Sequence, residues 1–112
     1  MPVTRTFIQT KEFSKNWDKL GFDDYDLRRL EEELIHDPTA FPVIRGTGGL
    51  RKMRFAFANK GKRGGARVCY VDFFVEETIY LITVYPKGEK DNLSDEECNE
   101  IKKMIGLLRA SL

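Results

Sequence analysis

Arg67-Val68-Cys69-Tyr70-Val71-Asp72-Phe73-Phe74-Val75-Glu76-Glu77-Thr78-Ile79-Tyr80-Leu81-Ile82-Thr83-Val84-Tyr85 is a run of β-branched and aromatic residues broken once, at Glu76-Glu77. Such residues fit a pleated, half-buried surface. The run therefore predicts two strands, Arg67 to Val75 and Thr78 to Tyr85, joined by a short turn. Upstream, Leu50 to Ala58 alternates: Met53, Phe55 and Phe57 point one way, Lys52, Arg54 and Ala56 the other. The Gly-rich turn Asn59-Lys60-Gly61-Lys62-Arg63-Gly64-Gly65 links it to the first strand of the pair. The three segments predict an antiparallel meander.

The flanks have helical spacing. Thr10 can cap a helix with Phe13, Trp17 and Leu20 on one face, and Gly21 ends it. Asp23 caps a second helix whose stripe is Leu27, Leu30 and Leu34. Phe22 is placed to staple onto Leu27, and Asp37-Pro38 stops the helix. Before these, Pro2 to Ile8 reads as a short strand. At the other end Pro86-Lys87-Gly88 breaks the last strand. Ser94 and Glu97 then form a capping box for a helix with Cys98, Ile101, Met104 or Ile105, Leu108 and Leu112 on one face. The order is β-α-α-β-β-β-α. It predicts an α+β domain: an antiparallel sheet packed against helices, with the helices on one face. At 112 residues and 13.0 kDa, residues 1–112 read as a single domain.

With 41% apolar residues the chain can build a core, and 33% charged residues imply a solvated surface. No apolar run approaches the ~18–20 residues of a membrane span. The start, Met1 to Phe7, lacks the apolar stretch of a secretory signal. Cys69 and Cys98 form neither a disulfide framework nor a CxxC motif, so a cytoplasmic protein with reduced thiols is expected. The net charge of +1 hides a segregation. Arg45, Arg51, Lys52, Arg54, Lys60, Lys62, Arg63 and Arg67 lie in a window that contains no acid. All 18 Asp and Glu residues fall outside it. A basic strip of this kind favours a polyanion such as RNA or DNA. By charge alone, a solvated basic hairpin is an equally good reading.

The residue types narrow the chemistry. The single histidine, His36, ends an acidic helix, where interaction with the helix dipole accounts for it. Neither cysteine has a partner at ligand spacing, so no metal site is expected, and none of the motifs calls for a cofactor. Gly46-Thr47-Gly48-Gly49 lacks the spacing of a phosphate loop and precedes a strand, which makes it a tight turn. The sheet offers more. If the three strands are adjacent, Arg54, Arg67, Tyr85 and Lys87 line one basic surface, subject to a register that sequence leaves open. Arg51, Lys52, Lys60, Lys62 and Arg63 are candidate RNA phosphate contacts around it. Ordinary solvated faces mix both signs, and the lack of acids argues for a site.

Three stretches in this order resemble a known family: Gly46 to Arg54, Gly61 to Tyr70 and Tyr80 to Glu89. The chain resembles toxins of the RelE superfamily of bacterial type II toxin–antitoxin systems, close to the HigB branch. The resemblance implies an endoribonuclease that cuts messenger RNA, usually in the decoding site of the small ribosomal subunit. It also implies a cognate antitoxin that binds tightly. By position, Arg54 and Arg67 match the family's sheet arginines and Lys87 its basic residue after the last strand. Tyr85 is a weaker candidate for the catalytic aromatic. Family members often place a catalytic Tyr or His in the C-terminal segment, and this chain has neither beyond Tyr85.

Cleavage by the RNA's own 2′-OH needs a base, stabilisation of phosphorane charge, and an acid for the 5′-oxygen. Arginine is too weakly acidic to exchange protons but binds phosphate oxygens bidentately. Arg54 and Arg67 are therefore assigned to transition-state charge. Lys87 or Lys52 is the candidate acid or base, provided its cationic neighbours depress its pKa. Two alternatives remain. One is a non-catalytic module that binds RNA or ribosome through the same basic sheet. The other is the gyrase-targeting branch of the superfamily, which usually lacks the basic cluster retained here.

Overall fold

The computed structural model describes residues 4–56, 65–89 and 92–112. The elements are β1 (Thr6–Gln9), α1 (Lys11–Lys19), α2 (Asp24–His36), β2 (Arg51–Phe55), β3 (Ala66–Phe73), β4 (Thr78–Pro86) and α3 (Asp95–Ser111), an α+β fold in the expected order. Each helix starts where its cap residue stands. Thr10 Oγ1 accepts from the Phe13 N–H at 3.0 Å. Asp23 and Asp26 cap each other reciprocally at the start of α2, and Ser94 and Glu97 do so at the start of α3. These caps satisfy N–H groups that a helix start leaves without intrahelical partners. Gly21 takes φ +86° and lets the chain reverse between α1 and α2.

The sheet order is β1-β4-β3-β2. The meander β2-β3-β4 is antiparallel, as expected. Two features depart from an antiparallel sheet with helices on one face. First, β1 pairs parallel to β4. No hairpin connects these strands; two helices and the meander's first two strands lie between them, so nothing compels them to run opposite ways. Second, the helices cover both faces. On one face Phe13, Trp17, Leu30 and Leu34 of α1 and α2 pack with Met53, Phe55, Val68, Tyr70, Leu81 and Val84. On the other, Ile101 and Ile105 of α3 pack with Leu50, Cys69, Val71, Phe73, Ile82 and Tyr85. Strands β3 and β4 are apolar on both sides, and such strands have to be covered twice.

Strand ends also shift. Phe74 and Val75 are exposed in the turn between β3 and β4 rather than in β3, and Glu77 there adopts φ +51°. The first strand runs Thr6–Gln9 instead of Pro2 to Ile8, with Met1 to Val3 outside the described residues. The inward direction expected for Phe57 lies outside them too. In α3 the buried positions are Cys98, Ile101 and Ile105, while Met104 is partly and Leu112 substantially exposed. Among the described residues no helix is long and apolar enough to cross a membrane.

A buried ion pair fastens the segment before β1. Arg5 Nε and Nη2 donate to the two carboxylate oxygens of Asp72 at 2.6 and 3.1 Å. The guanidinium also lies 5.6 Å from the Phe74 ring centroid. Two bonds hold Thr10 at the other end of β1: its N–H donates to Leu81 O and its hydroxyl to Ile82 O.

Candidate nucleic-acid interface

The basic cluster is built by strand register. Arg54 of β2 lies opposite Arg67 of β3, and Arg67 lies opposite Tyr85 of β4. Cross-strand partners project to the same face, so the three side chains form one row. That face is the one covered by α3, because Arg67 falls between Ala66 and Val68, which both point into the α1/α2 core. Lys52 lies on the same face, opposite Cys69.

The row depends on an irregularity. Between Cys69 and Tyr70 the β3–β4 register shifts: Cys69 pairs with Thr83 and Tyr70 with Leu81, which leaves Ile82 as an extra residue. Had the register from Tyr70 continued unbroken, Arg67 would stand opposite Val84. The bulge turns Tyr85 onto the arginine face instead. The Thr10 bonds to Leu81 O and Ile82 O anchor the chain at this point.

Two hollows flank the arginines. The larger, about 490 Å³, is lined by Phe41, Pro42, Lys52, Met53, Arg54 and Arg67. The smaller, about 180 Å³, is lined by Arg54, Phe55, Ala56, Gly65, Ala66, Arg67 and Lys87. Arg54 and Arg67 thus form a ridge shared by both hollows, and among the described residues no carboxylate lines either one. Lys87 is held at the second hollow by its backbone N–H, which donates to Gly65 O at 3.2 Å. Gly65 has little room for a side chain: a Cβ there would sit 3.0 Å from Phe55 O. Arg54 is exposed and Arg67 half-buried.

The remaining candidates divide. Tyr85 shares the row but is buried among the residues under α3. Burial pushes its phenol up to about 12, a shift that Arg67 opposes. At neutral pH it is a neutral hydroxyl and not a base. Arg51 projects to the opposite face, where its Nη1 donates to Thr39 O at 3.1 Å and Phe41 O at 2.6 Å. That guanidinium holds the loop after α2 instead of joining the candidate phosphate contacts, because Arg51 lies two residues from Met53 and so shares its face. Lys60, Lys62 and Arg63 lie outside the described residues.

Three side chains that sequence reasoning left aside also shape the site. Phe41 and Pro42 wall the larger hollow. Their only sequence signal is an aromatic–proline pair in the loop between the α2 stop and Gly46. Arg29 of α2 donates to Ala56 O at 2.8 Å and lies over the Phe55 ring at 4.5 Å, fixing the end of β2 beside Arg54. Gly46-Thr47-Gly48-Gly49 is a tight turn. All three glycines have positive φ, and the Thr47 hydroxyl donates to Ile44 O and accepts from the Leu50 N–H.

Comparison with known proteins agrees with this architecture. Residues 4–111 match the family model described as the RelE toxin of the RelE/RelB toxin–antitoxin system. The chain belongs to the RelE toxin family. Solved RelE structures share the fold. A double arginine-to-alanine variant of the E. coli toxin RelE in the free state superposes with a TM-score of 0.50 at 18% identity, covering 75% of this chain and 82% of that one. A chain of the archaeal RelE–RelB complex from Pyrococcus horikoshii gives 0.50 at 20% identity, covering 79% of this chain and 99% of that one. At these identities the RelE likeness is one of fold, and the arginine ridge has to be argued from its own geometry.

Proposed function

We propose that this RelE-family chain is a toxin that cuts messenger RNA, acting as one domain over residues 1–112 and restrained by a cognate antitoxin. The observation that carries the reading is the Arg54–Arg67 ridge, flanked on both sides by hollows that no carboxylate lines among the described residues. Unopposed guanidinium groups side by side suit a phosphate and little else. In the proposed reaction the ribose 2′-oxygen forms a bond to phosphorus and the bond from phosphorus to the 5′-oxygen breaks. Arg54 and Arg67 stabilise the charge on the phosphorane. Lys87 and Lys52, at either side of the ridge, take the proton from the 2′-OH and supply one to the departing 5′-oxygen. Tyr85 backs Arg67 as a neutral wall. These steps use side chains alone, and cleavage is expected to persist in EDTA.

The antitoxin proposal rests on the family and on the RelE–RelB complex among the structures of the same fold. Placement near the HigB branch rests on the three sequence stretches. Action on the ribosome, in the cytoplasm, is part of the same proposal: among the described residues the hollows beside the ridge offer no carboxylate or histidine, and ribosomal alignment of the RNA would supply what the site lacks.

The test is induction in bacteria of the wild type and of an Arg54→Ala/Arg67→Ala variant, shown to be folded and equally abundant, with mapping of messenger RNA 5′ ends. New ends that need translation and appear only with the wild type are the expected result. A second reading, binding without cleavage, is favoured by one observation: Tyr85, the sole hydroxyl of the row, is buried and neutral. Growth arrest without new 5′ ends would favour this reading, or the gyrase-targeting one, over cleavage.

A further inference from the structure

The turn between β3 and β4 has a composition that the fold does not explain. Phe74 and Val75 stand side by side at its tip, 74% and 82% exposed, and the acids Glu76 and Glu77 follow them, exposed as well. Tight turns are ordinarily made of small or polar residues. This one is also held in shape. The Glu77 N–H donates to Phe74 O at 3.1 Å and the Thr4 hydroxyl to Glu77 Oε1 at 3.2 Å, while the Arg5 guanidinium lies 5.6 Å from the Phe74 ring centroid. Adjacent large apolar side chains fixed in solvent mark a contact surface.

Its complement lies at the other end of the same sheet. The larger hollow, about 490 Å³, joins an apolar wall, Phe41 and Pro42, to Arg54 and Arg67, and among the described residues no carboxylate lines it. An apolar pair followed by acids thus matches an apolar wall beside arginines. A carboxylate takes the forked donors of a guanidinium as a phosphate does. Tip and hollow are too far apart to meet within one molecule. Arg67 and Phe73 stand at opposite ends of β3, roughly 20 Å apart at the rise of a strand. The match is available only between copies.

We infer that the Phe74–Glu77 tip of one copy docks in the Arg54–Arg67 hollow of a second copy, its apolar side chains on Phe41 and Pro42 and its carboxylates on the arginines. Because tip and hollow are different surfaces, the contact is head to tail and builds a ring or an open chain. Each docked tip covers one ridge, so a second copy and RNA compete for it. That competition rests on reading the ridge as an RNA phosphate site; the contact between copies does not.

The experiment is sedimentation equilibrium on the purified full chain. The average mass is expected to rise with concentration from 13.0 kDa, and to rise less as salt is added. Phe74→Ser/Val75→Ser and Arg54→Glu, all at exposed positions, should each weaken association at least ~tenfold. Mixed in equal amounts, the two variants should form a dimer and nothing larger, since one keeps a sound hollow and the other a sound tip. Single-stranded RNA carrying 2′-fluoro groups, which block 2′-OH attack, should return the wild type to monomer. A mass constant at 13.0 kDa, association that survives either variant, or a mixture that stays monomeric or grows past a dimer would each overturn the contact. A constant mass together with loss of antitoxin binding by the tip variant would also overturn it and give the tip to the antitoxin. RNA that fails to disperse assemblies abolished by both variants would overturn the competition. The 5′-end map judges the nuclease reading independently of these results.

Discussion

The two faces of the sheet are covered differently. The α1/α2 face is closed by an aromatic cluster: Trp17 stacks on Phe13, Phe22 and Phe55 with ring centroids 5.4, 4.3 and 5.7 Å apart. Trp17 is 4% exposed and Phe13, Leu30 and Leu34 are fully buried. The other face has a single helix. Ile101 and Ile105 of α3 cover Val71 and Phe73, and Arg109 lies over Phe73 at 5.2 Å. At the opposite end of this face stands the row of Arg54, Arg67 and Tyr85, where Arg54 is exposed and the arginines border open hollows. One face is closed core, whose edge residues Met53 and Phe55 also back the hollows. The other is part core and part site, and Arg54 and Arg67 stand at the end of the sheet away from the Phe73 that Arg109 of α3 covers.

The sharpest way to break this contrast is to delete a large side chain from each face. Trp17→Ala should cost ~3–5 kcal/mol, since it removes the hub of three ring contacts, and Ile105→Ala ~2–4 kcal/mol. Urea unfolding checks both. A cost for Ile105→Ala equal to or above that for Trp17→Ala would show that α3 carries more of the core than its single-helix cover implies.

A smaller effect concerns one tyrosine on each face. Tyr70, whose hydroxyl donates to Pro38 O at 2.6 Å, and Tyr85 are both pushed up to about 12, chiefly by burial. The raised values mean that folding favours the neutral phenols. Their contribution is complete below pH ~10, the ordinary tyrosine value, and is lost as pH rises through about 12. Each should forfeit on the order of 1–3 kcal/mol over that window. Alkaline unfolding, followed with tyrosinate absorbance, should therefore begin above pH ~10, and Tyr70→Phe and Tyr85→Phe should each make it shallower. Tyrosinate signal appearing well before loss of structure would contradict the burial of both rings.

The smallest stability effect is expected on the ridge. Arg54→Ala should change stability by no more than ~0.5 kcal/mol, because the side chain is exposed. The same substitution should reduce the salt dependence of RNA binding by about 0.7 in the log–log slope, the value for one phosphate contact on a single strand. A large loss of stability would move Arg54 from the site to the framework.

Much of the fold was legible along the chain because its signals are local. Thr10, Asp23 and Ser94 mark helix starts through bonds to residues three positions on. The stripe of Leu30 and Leu34 and the alternation of Met53 and Phe55 follow from 3.6- and 2-residue periods. Double coverage of the sheet was visible in principle in Cys69-Tyr70-Val71, where neighbours on opposite faces are all apolar. The parallel β1 was not, since its partner is more than 70 residues away. Among the site residues, the opposite projection of Arg51 and Arg54 could be read from alternation, whereas Phe41 and Pro42 carry no periodic signal in their loop.

The order of elements, the caps, the acid-free basic strip and the likeness to RelE toxins are written along the chain, because each is a property of residue type and spacing. Which cations meet is set by the folded arrangement of the strands. Whether Tyr85 or Val84 stands opposite Arg67 turns on one extra residue at Ile82, at a point held by Thr10 from the far end of the chain. A one-residue slip carries a side chain to the other face of a sheet. No local pattern within β3 or β4 records that choice, and the site depends on it.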